Sequence, residues 1–420
     1  MMDLCFILSS VKKQSIFIIW IILYRICLDY LYKECIVPVW EYKNFTYNLV
    51  NWWIVVYSWC ILLAYSLLIF RFFEKKYNIV ANAAILFFLL RVVPLTSLIA
   101  NKTLEIEFIF LETVYWFLIF ILFWYVKPIK MQASGKSELW INLLTILLLL
   151  IVVFISGYYT HFRMNFSLLN VYDLRNEARG FNIPIILQYL WIAASNILPI
   201  LLIYNMKRKR TILSVLIAVV IFLNFSISGS KSVLFKLFFC LFLYSFLYKN
   251  ILKQLPFWFV ILATISLLEF WINATTFIST LIIRRIFFMP VLLDSLYYDY
   301  INQIGPVFYT QGDVNISFLI GEEYFGSIDL RANNGMFSDA YMNLGVLGCI
   351  VYPFLYTIFF KACEGAFKGI DVQIVFFVSV LMTTTFGSSE FTTAMLTHGI
   401  FLLCVTVYFF PRIRTSLIKK

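Results

Sequence analysis

Paired arginines are the first residues in this chain whose type and spacing suggest chemistry. Arg175 and Arg179 stand four apart, so on a helix both guanidiniums project from one face. Two forked, permanently charged donors side by side suit a phosphate or pyrophosphate. A salt-bridged surface helix that uses Asp173 and Glu177 is the alternative reading of the same residues. Arg284 and Arg285 form a second pair, followed by Phe287, Phe288, Met289 and Pro290 and by the aromatic run Tyr297, Tyr298, Asp299, Tyr300. Rings such as Tyr298 could stack on sugars while acids and amides bond sugar hydroxyls. An ordinary belt of interfacial aromatics would have the same composition.

Between these pairs lies Ile227-Ser228-Gly229-Ser230-Lys231-Ser232, a tight turn before an apolar run. Glycine, hydroxyls and Lys231 there could form an anion nest at a helix N-terminus, or simply a hairpin turn. The spacing is not that of a Walker motif, which excludes an ATPase of that kind. Glu322, Glu323 and Asp339 are carboxylates placed to act as a general base, with Glu323 and Asp339 the preferred candidates. Ionisable residues inside apolar runs are costly and therefore informative. Arg91, Lys236 and Glu269 each fall in the outer half of a different run, which suggests either a shared polar cavity or pairs that hold helices together. Arg25 has Asp29 one helical turn on, so an intrahelical pair is expected.

These residues need elements to hold them, and composition says which kind. Hydrophobic residues make up 62% of the 420 and charged ones 13%, too few charges to cover a soluble core of this size. The apolar runs are about 20 residues long, enough to cross a bilayer as helices, and lack the alternation of barrel strands. The expected fold is therefore all-α and polytopic, a single membrane domain over residues 1–420 with about twelve spans: 15–31, 51–70, 79–100, 108–126, 139–159, 185–204, 211–227, 232–247, 257–278, 340–360, 372–386 and 391–410. With the N-terminus inside, one face collects Lys12, Lys13, Arg71, Lys75, Lys76, Lys127, Lys130, Lys136, Lys207 to Arg210, Lys249, Lys253, Lys361, Lys368 and the basic residues of 412–420. That bias is about two to one and places both termini in the cytoplasm. The net charge of +11 is thus spread in short clusters between spans, and nucleic acid is not an expected partner.

Two outer segments, 160–184 and 279–339, are long enough to build a site. Within the second, Leu281 to Phe288 mixes apolar bulk with Arg284 and Arg285 and predicts an interfacial helix. The eight cysteines show no metal spacing and no outer-face pair, and the first apolar run predicts an uncleaved anchor.

Taken together, the segments 172–180 with the following span and its basic end Lys207 to Arg210, 227–234, 284–290 with 297–300, and 320–348 resemble the bacterial O-antigen polymerases, the Wzy-type oligosaccharide repeat-unit polymerases. Residues 1–140 match that family in hydropathy alone. The resemblance implies a polytopic glycosyltransferase in the bacterial inner membrane, acting at the periplasmic face. Its substrate would be oligosaccharide units on undecaprenyl pyrophosphate in the membrane lipid, its cofactor none and its metal none. A chain-length regulator protein is an implied partner. Arg91, Arg175, Arg179, Lys231, Lys236, Arg284, Arg285 and Tyr298 would then bind pyrophosphate and sugar, and Glu323 or Asp339 would activate the acceptor hydroxyl. The competing readings are an O-antigen ligase, a flippase or other transporter for lipid-linked oligosaccharides, and a structural partner of the chain-length machinery.

Overall fold

The structure is a computed structural model that describes residues 2–74, 78–131, 137–164, 171–246, 251–309, 315–327 and 329–412. Lys75, Lys76, Lys136, Lys249, Arg414, Lys419 and Lys420 lie outside the described residues, as does the side chain of Lys12. Among the described residues the secondary structure is entirely helical. Nine helices there are long and apolar enough to cross a membrane, as expected of a polytopic membrane protein. The run predicted over 232–247 appears as Lys231–Phe246, and that over 372–386 as Val372–Phe386.

The chain divides into two compact units. The first comprises Met1–Lys127, Ile251–Lys361 and Phe386–Glu390. Its centre is the helix Ile79–Asn101, started by Asn78, whose side chain accepts from the Ala81 amide at 2.7 Å. Nearly every residue of this helix is buried, with Val93–Asn101 packed against Met2–Leu31 and Trp52–Glu74. Arg91 lies in a single wide π-type turn, Phe88–Val92, of the kind that often marks functional positions. The predicted interfacial helix forms within Ser279–Phe288, also π-helical, and continues as Met289–Ile304. The second unit comprises Pro128–Asn250, Ala362–Thr385 and Phe391–Lys420. Here Ile185–Lys207 is the axis, packed against Ser137–Thr160, Thr211–Ser228, Lys231–Phe246 and Ile400–Tyr408.

Two of the predicted spans are interrupted within a helical run, and a third, 257–278, leaves its helix after Asn273. Gly345, at φ +57° and ψ −140°, breaks Met336–Ala366 inside the run expected over 340–360. The carbonyls of Met342 and Asn343 lose their helical partners there and accept instead from the amides of Val307 and Phe308, at 2.9 and 3.1 Å. The last run, 391–410, is two short helices, Phe391–Met395 and Ile400–Tyr408, separated by a turn ending in Gly399 at φ +71°. A side chain at Gly399 would sit 2.6 Å from the Cβ of Ala193, so the turn needs glycine for its backbone and for its space. Hydropathy averages over such breaks, which is why both runs looked continuous.

Gly399→Ala is therefore expected to lower the chemical-denaturation midpoint of the detergent-purified protein by the equivalent of about 2–3 kcal/mol, positive φ and steric strain together. Gly326→Ala, at φ +64° with open space around its Cβ, should cost only about 1 kcal/mol by the same measurement.

Candidate functional site

Arg284 begins the site because it is a cation buried to 4% exposure with too few partners. Its helix Ser279–Phe288 turns it inward, while Arg285, the next residue, stays exposed. The guanidinium lies over the indole of Trp40 at 3.7 Å, a cation–π contact made strong by burial. Trp40 is fixed by donating its Nε1 proton to the Thr280 hydroxyl at 3.2 Å, one turn back on the arginine helix. The Nε–H of Arg284 has no hydrogen-bond partner among the described residues and is closed off from solvent. Burial, and then the charge of Arg285, push its pKa down to about 10, which leaves it protonated at neutral pH.

Around this residue opens a cavity of about 390 Å³ in the first unit. Among the described residues four cations line it, Lys43, Arg284, Arg285 and Arg331, and no carboxylate does. Lys43 is held by the Phe325 carbonyl at 3.3 Å and Arg331 by the ring of Phe318 at 5.2 Å. Asn333 and Ser388 add neutral polar groups, and Met289, Pro290 and Leu293 an apolar wall. Cations that face one another without counter-ions repel, so the cavity is primed to accept a polyanion. Its size admits a diphosphate with an attached ring. Among the described residues no three His, Cys, Asp or Glu side chains cluster as a metal site.

Behind the wall lies a buried ionic group. Arg91 Nη1 approaches Asp294 Oδ2 at 4.0 Å, and both side chains are almost fully buried. Asp294 Oδ1 accepts from the Ser338 hydroxyl at 2.6 Å and from its amide at 3.2 Å. Glu112, also buried, accepts from Trp116 Nε1 at 3.4 Å and acts electrostatically on both charges. A Cβ on Gly335 would lie 2.8 Å from the Gly387 carbonyl oxygen and 3.1 Å from Arg91 Nη2. Bare backbone is therefore required where the segment leading to Ser338 passes Gly387, whose neighbour Ser388 lines the cavity.

The other predicted site residues fall as follows. Tyr298 is buried, its ring 4.9 Å from that of Tyr341 and its hydroxyl donating to Glu107 at 3.2 Å. Glu323 is exposed, on the helix Ile316–Phe325 whose last residue, Phe325, lines the cavity. Asp339 is 2% exposed and accepts from Asn343 Nδ2 at 2.8 Å. Glu269 caps the helix that follows it, accepting from the amides of Phe277 and Ile278 at 2.8 Å each. Arg25 pairs with Asp29 at 2.7 Å, as its spacing predicts.

Lys231, Lys236, Arg175 and Arg179 belong to the second unit. Lys231 is exposed at the start of its helix, beside a turn whose hydroxyls bond locally, Ser230 with Ser232 at 2.8 Å and Ser228 with the Asn224 carbonyl at 2.9 Å. Lys236 donates to Asn196 Oδ1 at 2.6 Å, and Asn196 donates to the His398 carbonyl exposed by the break before Gly399. Arg175 and Arg179 sit on the helix Val171–Arg179, but their side chains lie outside the described residues. Glu177 of that helix accepts from Arg163 at 2.7 Å. Of the predicted residues, then, Arg284 and Arg285 meet in one cavity. Trp40, Lys43 and Arg331 join them without having been singled out, since no local motif links residues 40–43 to Arg331 or either to the Arg284–Arg285 pair.

Burial, and then the nearby charge of Glu105, raise the Asp299 carboxyl to about 6, against the opposing charge of Lys102. A raised carboxyl pKa means that ionisation disfavours the fold, so this group's contribution is present at low pH and is lost as pH rises through about 6. Thermal midpoints measured between pH 3.5 and 7.5 should accordingly be higher for Asp299→Asn than for the parent above about pH 6, with the gap opening between about pH 4 and 6 and the two curves meeting below that window.

Compared with known protein families, with curated proteins and with solved structures, the chain matches none.

Proposed function

We propose that this chain polymerises oligosaccharide repeat units carried on undecaprenyl pyrophosphate, at the periplasmic face of a bacterial inner membrane. The observation that carries the reading is the cavity lined by Lys43, Arg284, Arg285 and Arg331, with no carboxylate among its described walls. Transfer of a glycan breaks the bond between the sugar C1 and a pyrophosphate oxygen, and the electron pair leaves with the pyrophosphate. Cations fixed in advance stabilise that charge where it develops, worth about 10²- to 10³-fold in rate per donor. The acceptor hydroxyl forms the new bond to C1 and loses its proton to a carboxylate. Glu323 suits this role better than Asp339, because it is exposed and shares a helix with a cavity-lining residue. The apolar wall of Met289, Pro290 and Leu293 suits the first isoprene units.

In this reading the chain crosses the membrane about twelve times, with both termini cytoplasmic and the segments 160–184 and 279–339 outside. A reporter fused after Met206 is then active in the cytoplasm and one near Asn315 in the periplasm; the reverse pattern sinks the orientation.

Deletion of the gene is expected to remove the long polysaccharide ladder on a gel and leave core bearing a single repeat unit. Loss of every repeat unit would instead indicate the ligase or flippase reading. Arg284→Gln and Arg331→Gln should each lower polymer by at least about 10²-fold with the protein still in the membrane. A normal ladder in both variants would remove the pyrophosphate role from this cavity.

A further inference from the structure

The second unit holds a smaller cavity, of about 200 Å³, walled by Tyr204, Lys207, Arg208, Asp371, Phe410 and Arg412. Its charges are unequal. Lys207 is bonded to Asp371, and Arg208 to Glu138 with its guanidinium 4.8 Å above the ring of Tyr204. Arg412 donates through Nη2 to the Tyr408 carbonyl at 3.0 Å, and among the described residues no carboxylate pairs with it.

Two donors in this cavity are buried with nothing to receive them. Among the described residues the Tyr204 hydroxyl, on a residue only 5% exposed, makes no hydrogen bond, and neither does Nη1 of Arg412. Native structures rarely strand such groups, because an unmade bond to a desolvated donor is costly. Both donors suit oxygens of one anionic group, with Arg412 as the charge-assisted partner.

The place of the cavity says what carries that anion. Ile185–Lys207 is one of the apolar helices long enough to span a bilayer, and the next begins at Thr211. Lys207 and Arg208 therefore stand at a membrane–water boundary. Ile370, Ile374 and Phe410 give the cavity an apolar side, which a free phosphate ion would not use. Basic clusters at the ends of spans attract anionic lipids. We propose that this cavity binds the phosphate headgroup of an anionic phospholipid, with Tyr204 and Arg412 donating to its oxygens and an acyl chain lying along Ile370 and Ile374. This site is independent of the polymerase reading and of the Arg284 cavity.

The test is native mass spectrometry of the full chain purified in detergent, with phosphatidylglycerol, phosphatidylethanolamine or inorganic phosphate added separately. Phosphatidylglycerol should be retained by the parent protein and phosphatidylethanolamine should not. Combining Arg412→Gln with Tyr204→Phe should weaken that retention about tenfold or more, as loss of a charge-assisted hydrogen bond does, while Arg412→Lys keeps most of it. Tyr204→Phe removes one hydroxyl from an intact helix, so single-species elution confirms that the variants remain folded. Equal retention by the double variant, or equal binding of the zwitterionic lipid, overturns the proposal. Displacement of the lipid by inorganic phosphate overturns it too, since it would mark a phosphate site that has no use for the membrane.

Discussion

A positive charge inside an apolar interior must be answered by a negative one, and in the first unit that requirement falls on Arg91 and Asp294. Removing either partner of such a buried pair typically costs about 3–5 kcal/mol, because the survivor keeps its desolvation penalty without compensation. What depends on the pair is more than its own helices. Asp294 also receives the hydroxyl and amide of Ser338, and so fixes the start of the helix Met336–Ala366. Arg91 lies against the backbone of Gly335, which in turn meets Gly387. The segments bearing Arg331, Asn333 and Ser388 thus reach the cavity wall from positions set by this ionic contact. The helix of Asp294 itself continues directly from the one that carries Arg284 and Arg285.

The cavity reads as an electrostatic inversion of the core behind it. In the core Arg91 is matched by Asp294 and lies within the field of Glu112, so its charge is answered there. In the cavity three of the four cations, Arg284, Arg331 and Lys43, are held in place by an indole, a ring and a carbonyl, none of which cancels charge. Holding a guanidinium by its flat face leaves its edge donors for something else. The orphan Nε–H of Arg284 is the clearest instance. A pocket assembled this way binds through the ligand's charge, and its affinity falls with added salt to the extent that its mouth is exposed.

Fold class was legible because apolar length and low charge leave few alternatives, and so was the Arg284–Arg285 pair, which is contiguous. Trp40, Lys43 and Arg331 were not legible, since their meeting depends on packing between segments hundreds of residues apart. Lys236 and Glu269 were legible as unusual but not in their use. Each answers a backbone need, Glu269 by capping amides and Lys236 by orienting Asn196 toward a freed carbonyl. Hydropathy sees a charge in an apolar run and cannot see the chain break that employs it. The interruptions at Gly345 and Gly399 escaped for the same reason.

The break at Gly345 has a mechanical meaning. The carbonyls of Met342 and Asn343 are deeply buried and are satisfied by Val307 and Phe308, not by the helix to which they belong. Were that loop to lift away, two acceptors would be stranded without water or partner, at several kcal/mol in an apolar setting. Val307 and Phe308 are thereby tied to the first turns of Met336–Ala366, on the near side of the break at Gly345. The carboxylate of Asp339 belongs to this tied unit, on the near side of the break.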